Sequence, residues 1–114
     1  MAVAALATKL ELAGVIATNT TVSRSGLKTD SKSVSDMGVG GLSGPVLKER
    51  SIEVLKLLRA NLPKEIAIVS VGGVFGASDV LQRLELGASL VQGYTGFVYE
   101  GPLWARKINR GLPR

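Results

Sequence analysis

Two apolar runs in this chain end in bare backbone. Ile66–Val71 stops at Gly72-Gly73, and Leu90–Gln92 stops at Gly93-Tyr94-Thr95-Gly96. Glycine at a strand exit lets a polar or anionic group approach the main-chain N–H groups, and the N-terminus of the next helix adds positive potential. Val71-Gly72-Gly73-Val74 leads within a few residues to Ser78-Asp79, the start of an amphipathic segment over Ala77–Leu86. That pattern resembles the phosphate loops found after the late strands of parallel barrels. Close strand–helix packing also favours glycine, so the pair has a second, purely structural reading. Gly87-Ala88-Ser89 reads as structural, the glycine closing one helix before the next strand.

A different chemistry is offered by Thr18-Asn19-Thr20-Thr21, an amide and three hydroxyls directly after the apolar run Val15-Ile16-Ala17. An asparagine amide has two donors and an acceptor and suits a planar ligand carrying amide and carboxylate groups. Taken alone, the tetrapeptide reads first as a turn with a helix cap. Gly40-Gly41-Leu42-Ser43-Gly44-Pro45 is either a flexible turn or a ligand loop, since Gly44 precedes a proline-started helix with free N–H groups. Tyr94 could pack on the core, and Trp104 fills space beneath a last helix. Arg106, Lys107, Arg110 and Arg114 read as a solvated face.

These candidates need a frame. Met1–Leu12 reads as a helix, Val15–Ala17 as a buried strand, and Ser23–Gly41 as a long polar loop. Leu47, Ile52, Leu55, Leu58 and Leu62 recur at helical spacing over Val46–Asn61, which Pro63 ends. Ile66–Val71 is the second strand, Ala77–Leu86 the next helix, Leu90–Gln92 the third strand and Gly101–Asn109 a final helix. The order α-β-α-β-α-β-α with near-continuous apolar strands implies an α/β fold, a parallel sheet buried on both faces. Three strands cannot close a barrel, and a (β/α)₈ barrel takes about 250 residues. The 114 residues therefore read as one domain's worth of chain belonging to a larger fold, with unpaired sheet edges open to self-association.

Composition narrows the chemistry. There is no cysteine and no histidine, which removes disulfides, thiolate and zinc-thiolate chemistry and the commonest general base. No metal site is expected. The net charge of +5 suits an anionic ligand, but the basic residues are scattered and aromatics are 4%, so no nucleic-acid footprint forms. Hydrophobic residues reach 46%, yet no run attains the roughly 18 apolar residues of a membrane span. Met1–Ala7 runs into Lys9 and Glu11 without a basic region or cleavage pattern, so it does not read as a signal peptide. The chain is expected to be soluble.

The motifs in order are Ile16-Ala17-Thr18-Asn19-Thr20-Thr21, Gly40-Gly41-Leu42-Ser43-Gly44, Ser70-Val71-Gly72-Gly73-Val74 and Gly87-Ala88-Ser89-Leu90-Val91-Gln92-Gly93-Tyr94-Thr95-Gly96-Phe97. This set, covering about Leu12 to Asn109, resembles the C-terminal part of the class 2, quinone-dependent dihydroorotate dehydrogenases. The Thr-Asn-Thr-Thr element favours class 2 over the soluble class 1 enzymes. The resemblance implies about three β/α units of an FMN-binding (β/α)₈ TIM barrel that oxidises dihydroorotate to orotate for pyrimidine synthesis. It implies that Thr18 lies against the flavin and that Asn19 and Thr20 bond the orotate ring. It further implies that Gly44, Gly72 and Gly73 approach FMN through their backbones, and that Tyr94 and Thr95 hold its phosphate by main-chain N–H groups. The family's serine base, its flavin-contacting lysine, several substrate asparagines and the helices that guide quinone have no counterpart here. No catalytic residue is therefore assigned, and Ser23, Ser43 and Ser70 do not stand in the base position. The segment alone is expected to be inactive. Its parent is expected at the membrane periphery, on the cytoplasmic face or the inner mitochondrial membrane. The alternative is an FMN- or phosphate-binding barrel module without dehydrogenase activity.

Overall fold

A computed structural model describes residues 1–113. Arg114, expected on a solvated face, lies outside the described residues. Three parallel strands, β1 (Gly14–Ala17), β2 (Ala67–Val71) and β3 (Leu90–Gln92), lie side by side in sequence order. Six helices accompany them: α1 (Ala2–Lys9), α2 (Ser31–Asp36), α3 (Lys48–Asn61), α4 (Ala77–Glu85), α5 (Thr95–Glu100) and α6 (Trp104–Gly111). Each crossover between neighbouring parallel strands carries a helix, as parallel pairing demands.

The helix side of the sheet is closed. Ile68 of β2 is fully buried beneath Leu55 and Leu58 of α3, with Ala4 and Ala7 of α1 and Leu62, Ile66 and Ala88 completing the cluster. Leu47, Leu55, Leu58 and Leu62 are buried, as their helical spacing requires, and Ile52 is half-buried. A second cluster joins Val74 and Val80 to Trp104 and Ile108 of α6, so Trp104 fills space beneath the last helix as expected.

The expectation of a sheet buried on both faces does not hold for this chain. Val69 pairs in register with Ile16 on one side and Leu90 on the other, and this row faces away from the helices. Ile16 is 67% exposed and Leu90 64%. Three strands twist but do not curl round to meet, so the face that a closed barrel would turn inward stays open.

Several boundaries differ from the sequence reading. The Ser23–Gly41 stretch contains α2, whose Asp30 cap accepts from the Ser33 N–H at 3.0 Å and its hydroxyl at 2.6 Å. Ser31–Asp36 has no apolar periodicity to betray a helix. The whole excursion is pinned at its base by Thr21 and Leu42, which exchange backbone bonds of 3.0 and 2.8 Å. Helix α5 starts inside the presumed glycine loop, and Gly101 (φ +83°) ends it, so the last helix starts at Trp104 instead of Gly101. The expected Val46–Asn61 helix is a 3₁₀ turn, Pro45–Leu47, followed by α3.

Candidate functional site

The eight residues singled out for binding converge. Thr18, Asn19 and Thr20 follow β1, Gly72 and Gly73 follow β2, and Tyr94 and Thr95 follow β3. With Gly44 they line one cleft of about 200 Å³ at the C-terminal ends of the strands. Ser43, Leu47, Val71, Val74, Phe75 and Gly93 complete the wall. The separate hollow of about 750 Å³ on the 22–39 loop touches none of the eight.

Among the described residues, no carboxylate and no charged side chain lines the cleft; its polar groups are hydroxyls, one amide and backbone. Among the described residues, no backbone carbonyl accepts the N–H of Gly73 or Thr95. Thr95 opens α5, where the first N–H groups have no intrahelical partner. Its hydroxyl donates to Ser43 Oγ at 3.0 Å and ties the β3 exit to the loop before Pro45. Donors without competing acids suit an anion or a polar ring. At about 200 Å³ the cleft is smaller than the roughly 300–1,000 Å³ of complete ligand pockets, as one wall of a larger site would be.

The three exits are built differently. At β1, Asn19 and Thr20 are exposed, and Asn19 Oδ1 accepts the Thr20 N–H at 2.8 Å. This leaves the Asn19 NH₂ group directed at no protein acceptor among the described residues. Thr18 is half-buried, and its N–H donates to Val71 O at 2.8 Å, joining β1 to the β2 exit. Tyr94 is 76% exposed and does not pack on the core.

At β2 the turn is held from behind. The Gly72 carbonyl accepts from the Arg83 guanidinium and from Ser51 Oγ at 2.8 Å, a hydroxyl whose one proton is shared with Lys48 O at 2.9 Å. Asp79 Oδ2 accepts the N–H groups of Phe75 and Gly76 at 2.9 and 3.1 Å, and Asp79 Oδ1 pairs with Lys48 Nζ at 2.5 Å. Trp104 Nε1 donates to Phe75 O at 2.8 Å. Burial pushes the Asp79 carboxyl up, but the Lys48 bond and the two N–H groups outweigh it and hold it below the ordinary carboxylate value. Burial lowers the Arg83 guanidinium, with Asp79 opposing the shift.

Gly73 sits at φ +67°, and a Cβ there would lie 2.6 Å from both Lys48 N and Cα. Its bare backbone is therefore required by packing on α3, whatever ligand its N–H meets. Sequence reasoning read Asp79 only as part of a helix start and passed over Ser51, Lys48 and Arg83. A signal for Ser51 existed: it lies four and seven residues before Leu55 and Leu58, on the buried stripe of α3. The three unassigned serines sit apart. Ser70 is buried on the helix side, Ser23 bonds Ser25 in the loop, and Ser43 lines the cleft.

A family model described as dihydroorotate dehydrogenase matches residues 1–114. The chain belongs to the dihydroorotate dehydrogenase family. It is 60% identical over 112 residues to dihydroorotate dehydrogenase (quinone) of Leifsonia xyli subsp. xyli, covering 98% of this chain and 33% of that protein. The same name is carried by the Clavibacter sepedonicus relative, 61% identical over 112 residues, again 98% of this chain and 33% of that one. A crystal structure of DHODH from Eimeria tenella in complex with ferulenol superposes with a TM-score of 0.84 at 34% identity, covering 95% of this chain and 28% of that one. The chain thus spans about a third of the curated relatives it matches. Its three parallel β/α units are a portion of the TIM barrel of the dihydroorotate dehydrogenases. Among the described residues, no helix is long and apolar enough to cross a membrane.

Proposed function

We propose that this chain supplies part of the FMN and orotate sites of a quinone-dependent dihydroorotate dehydrogenase. The observation that carries the reading is the convergence of all eight motif residues, from four separate segments, on one acid-free cleft at the strand ends. Thr18 lies against the flavin, and Gly72, Gly73 and Gly44 let it approach the backbone. Tyr94 and Thr95 offer main-chain N–H groups to its phosphate at the start of α5. Asn19 and Thr20 face the orotate ring, where the free Asn19 NH₂ group can donate to a ring carbonyl or the carboxylate. When bound, FMN would supply the redox chemistry that couples dihydroorotate oxidation to quinone reduction. This chain's residues bind and orient; the group that removes the substrate proton and the quinone channel belong to the remainder of the barrel. The parent enzyme sits at the membrane periphery, on the cytoplasmic face or the inner mitochondrial membrane, where its quinone partitions.

The test uses a complete barrel in which this segment replaces the matching third of the Leifsonia relative. Asn19→Ala is expected to weaken orotate by about 1–3 kcal/mol, the cost of leaving a ligand polar group unpaired, with flavin content unchanged. Orotate titration of both holoenzymes checks it. Unchanged orotate affinity rejects the Asn19 role, and a barrel that takes up no FMN rejects the site.

A further inference from the structure

Arg83 is fully buried, with a relative exposure of 0%, and among the described residues no carboxylate lies within ion-pair distance of it. Its guanidinium is directed at the Gly72 carbonyl, at Ser51 Oγ (2.8 Å) and at the Asp79 carbonyl of its own helix (3.2 Å). Burying a cation without a directly paired anion is costly, and a well-packed apolar side chain would stabilise the helix–sheet contact at least as well. The arrangement therefore calls for a role beyond packing.

The peptide unit supplies one. The Gly72–Gly73 bond is trans, so its C=O and N–H point in opposite directions across a rigid plane. Ser51 and Arg83 draw the Gly72 oxygen back into the helix layer. The Gly73 N–H on the same plane is thereby turned toward the cleft, which both glycines line. Glycine on both sides of the bond leaves this peptide easy to rotate. Without its two donors the oxygen could swing forward and present an acceptor where an anion must sit. A cation on the carbonyl end also polarises the amide, which strengthens the N–H as a donor.

We infer that Arg83 and Ser51 are positioning residues for the phosphate of the flavin nucleotide, holding the Gly72–Gly73 peptide with its N–H facing the ligand. Neither residue touches the ligand; both act through that single peptide. The inference rests on the proposed flavin site and can fail separately from it.

The experiment measures equilibrium affinities for FMN and riboflavin, which differ only in the phosphate, in the complete barrel carrying this segment. Arg83→Met is expected to weaken FMN by about tenfold to hundredfold, the range of one hydrogen bond to a charged group. Riboflavin should change by less than about twofold, a difference below the value of any hydrogen bond. Arg83→Lys keeps a buried cation and should hold the FMN-to-riboflavin ratio within about threefold of wild type. Should Arg83→Met fail to fold, Ser51→Ala makes the same comparison, with an expected FMN-specific loss of about threefold to tenfold. Equal losses for FMN and riboflavin, or an unchanged ratio in a folded variant, overturn the inference while leaving the flavin site standing. A wild-type barrel that binds no FMN overturns the site reading and this inference together.

Discussion

The exits of β1 and β2 face the same cleft but are made in opposite ways. After β2, carbonyl and N–H groups are gripped from the helix layer by Ser51, Arg83, Asp79 and Trp104. After β1, Asn19 and Thr20 bond chiefly to each other and stand exposed. The β2 exit is thus set before any ligand arrives, within this chain alone. The β1 exit presents functional groups whose surroundings must come from elsewhere in the barrel. Under the proposed function, the β2 exit would be a fixed cradle for the flavin phosphate and the β1 exit a looser rim for the substrate ring, dividing the work of binding between the two.

The largest expected effect tests the incomplete half. The 114-residue chain with excess FMN should show no dihydroorotate-dependent quinone reduction, since an absent general base alone removes about 10²–10⁴-fold. A quinone-reduction assay checks this, and turnover near that of a whole enzyme would contradict the division.

Next comes the fixed half. Asp79→Ala strips the partner from two N–H groups and from Lys48, and should destabilise by about 2–3 kcal/mol, read from urea unfolding of the complete barrel. Asn19→Ala should leave the same unfolding curve within about 0.5 kcal/mol, as an exposed position does. Equal losses at both positions would erase the contrast between the exits.

A smaller effect follows from titration. The folded Asp79 carboxyl titrates below its unfolded value of about 4, so its contribution is present above that pH and is lost as pH falls through the folded value. Stability of wild type and Asp79→Asn should therefore converge as pH drops below about 4 and separate above it. A difference independent of pH would assign the effect to shape and not charge. The smallest effect is at Tyr94, whose side chain is exposed and whose offered group is main-chain: Tyr94→Phe should keep FMN affinity within about twofold, less than one hydrogen bond. Gly73→Val would not serve here, because its new side chain would strike the Lys48 backbone before it met any ligand.

The strands and their glycine exits were legible because apolar runs and bare backbone leave local signatures. The leucines of α3 were equally plain. The six-residue helices α2 and α5 were not, since Ser31–Asp36 lacks an apolar stripe and Thr95–Glu100 overlaps residues read as a loop. The cleft-lining residues stood in recognisable motifs, but the network behind them did not. Ser51 and Arg83 come from two helices 32 positions apart, and nothing in either local sequence says that both meet the oxygen of Gly72. Burial on both faces of the sheet was overestimated because apolar strands report what a closed barrel would cover, while Ile16 and Leu90 have only three strands' company.

Trp104 is the one tryptophan of the chain. Its ring lies over Gly93 and Gly96, so close that neither could carry a methyl group, while its N–H reaches the Phe75 carbonyl across the cluster. All indole fluorescence of this segment therefore originates at the seam joining the β2 and β3 exits. A rotation of either exit would alter the ring's hydrogen bond or its packing, and with it the emission wavelength. A flavin in the neighbouring cleft would quench that emission by energy transfer. The molecule carries its own optical probe at the place where the cradle is assembled.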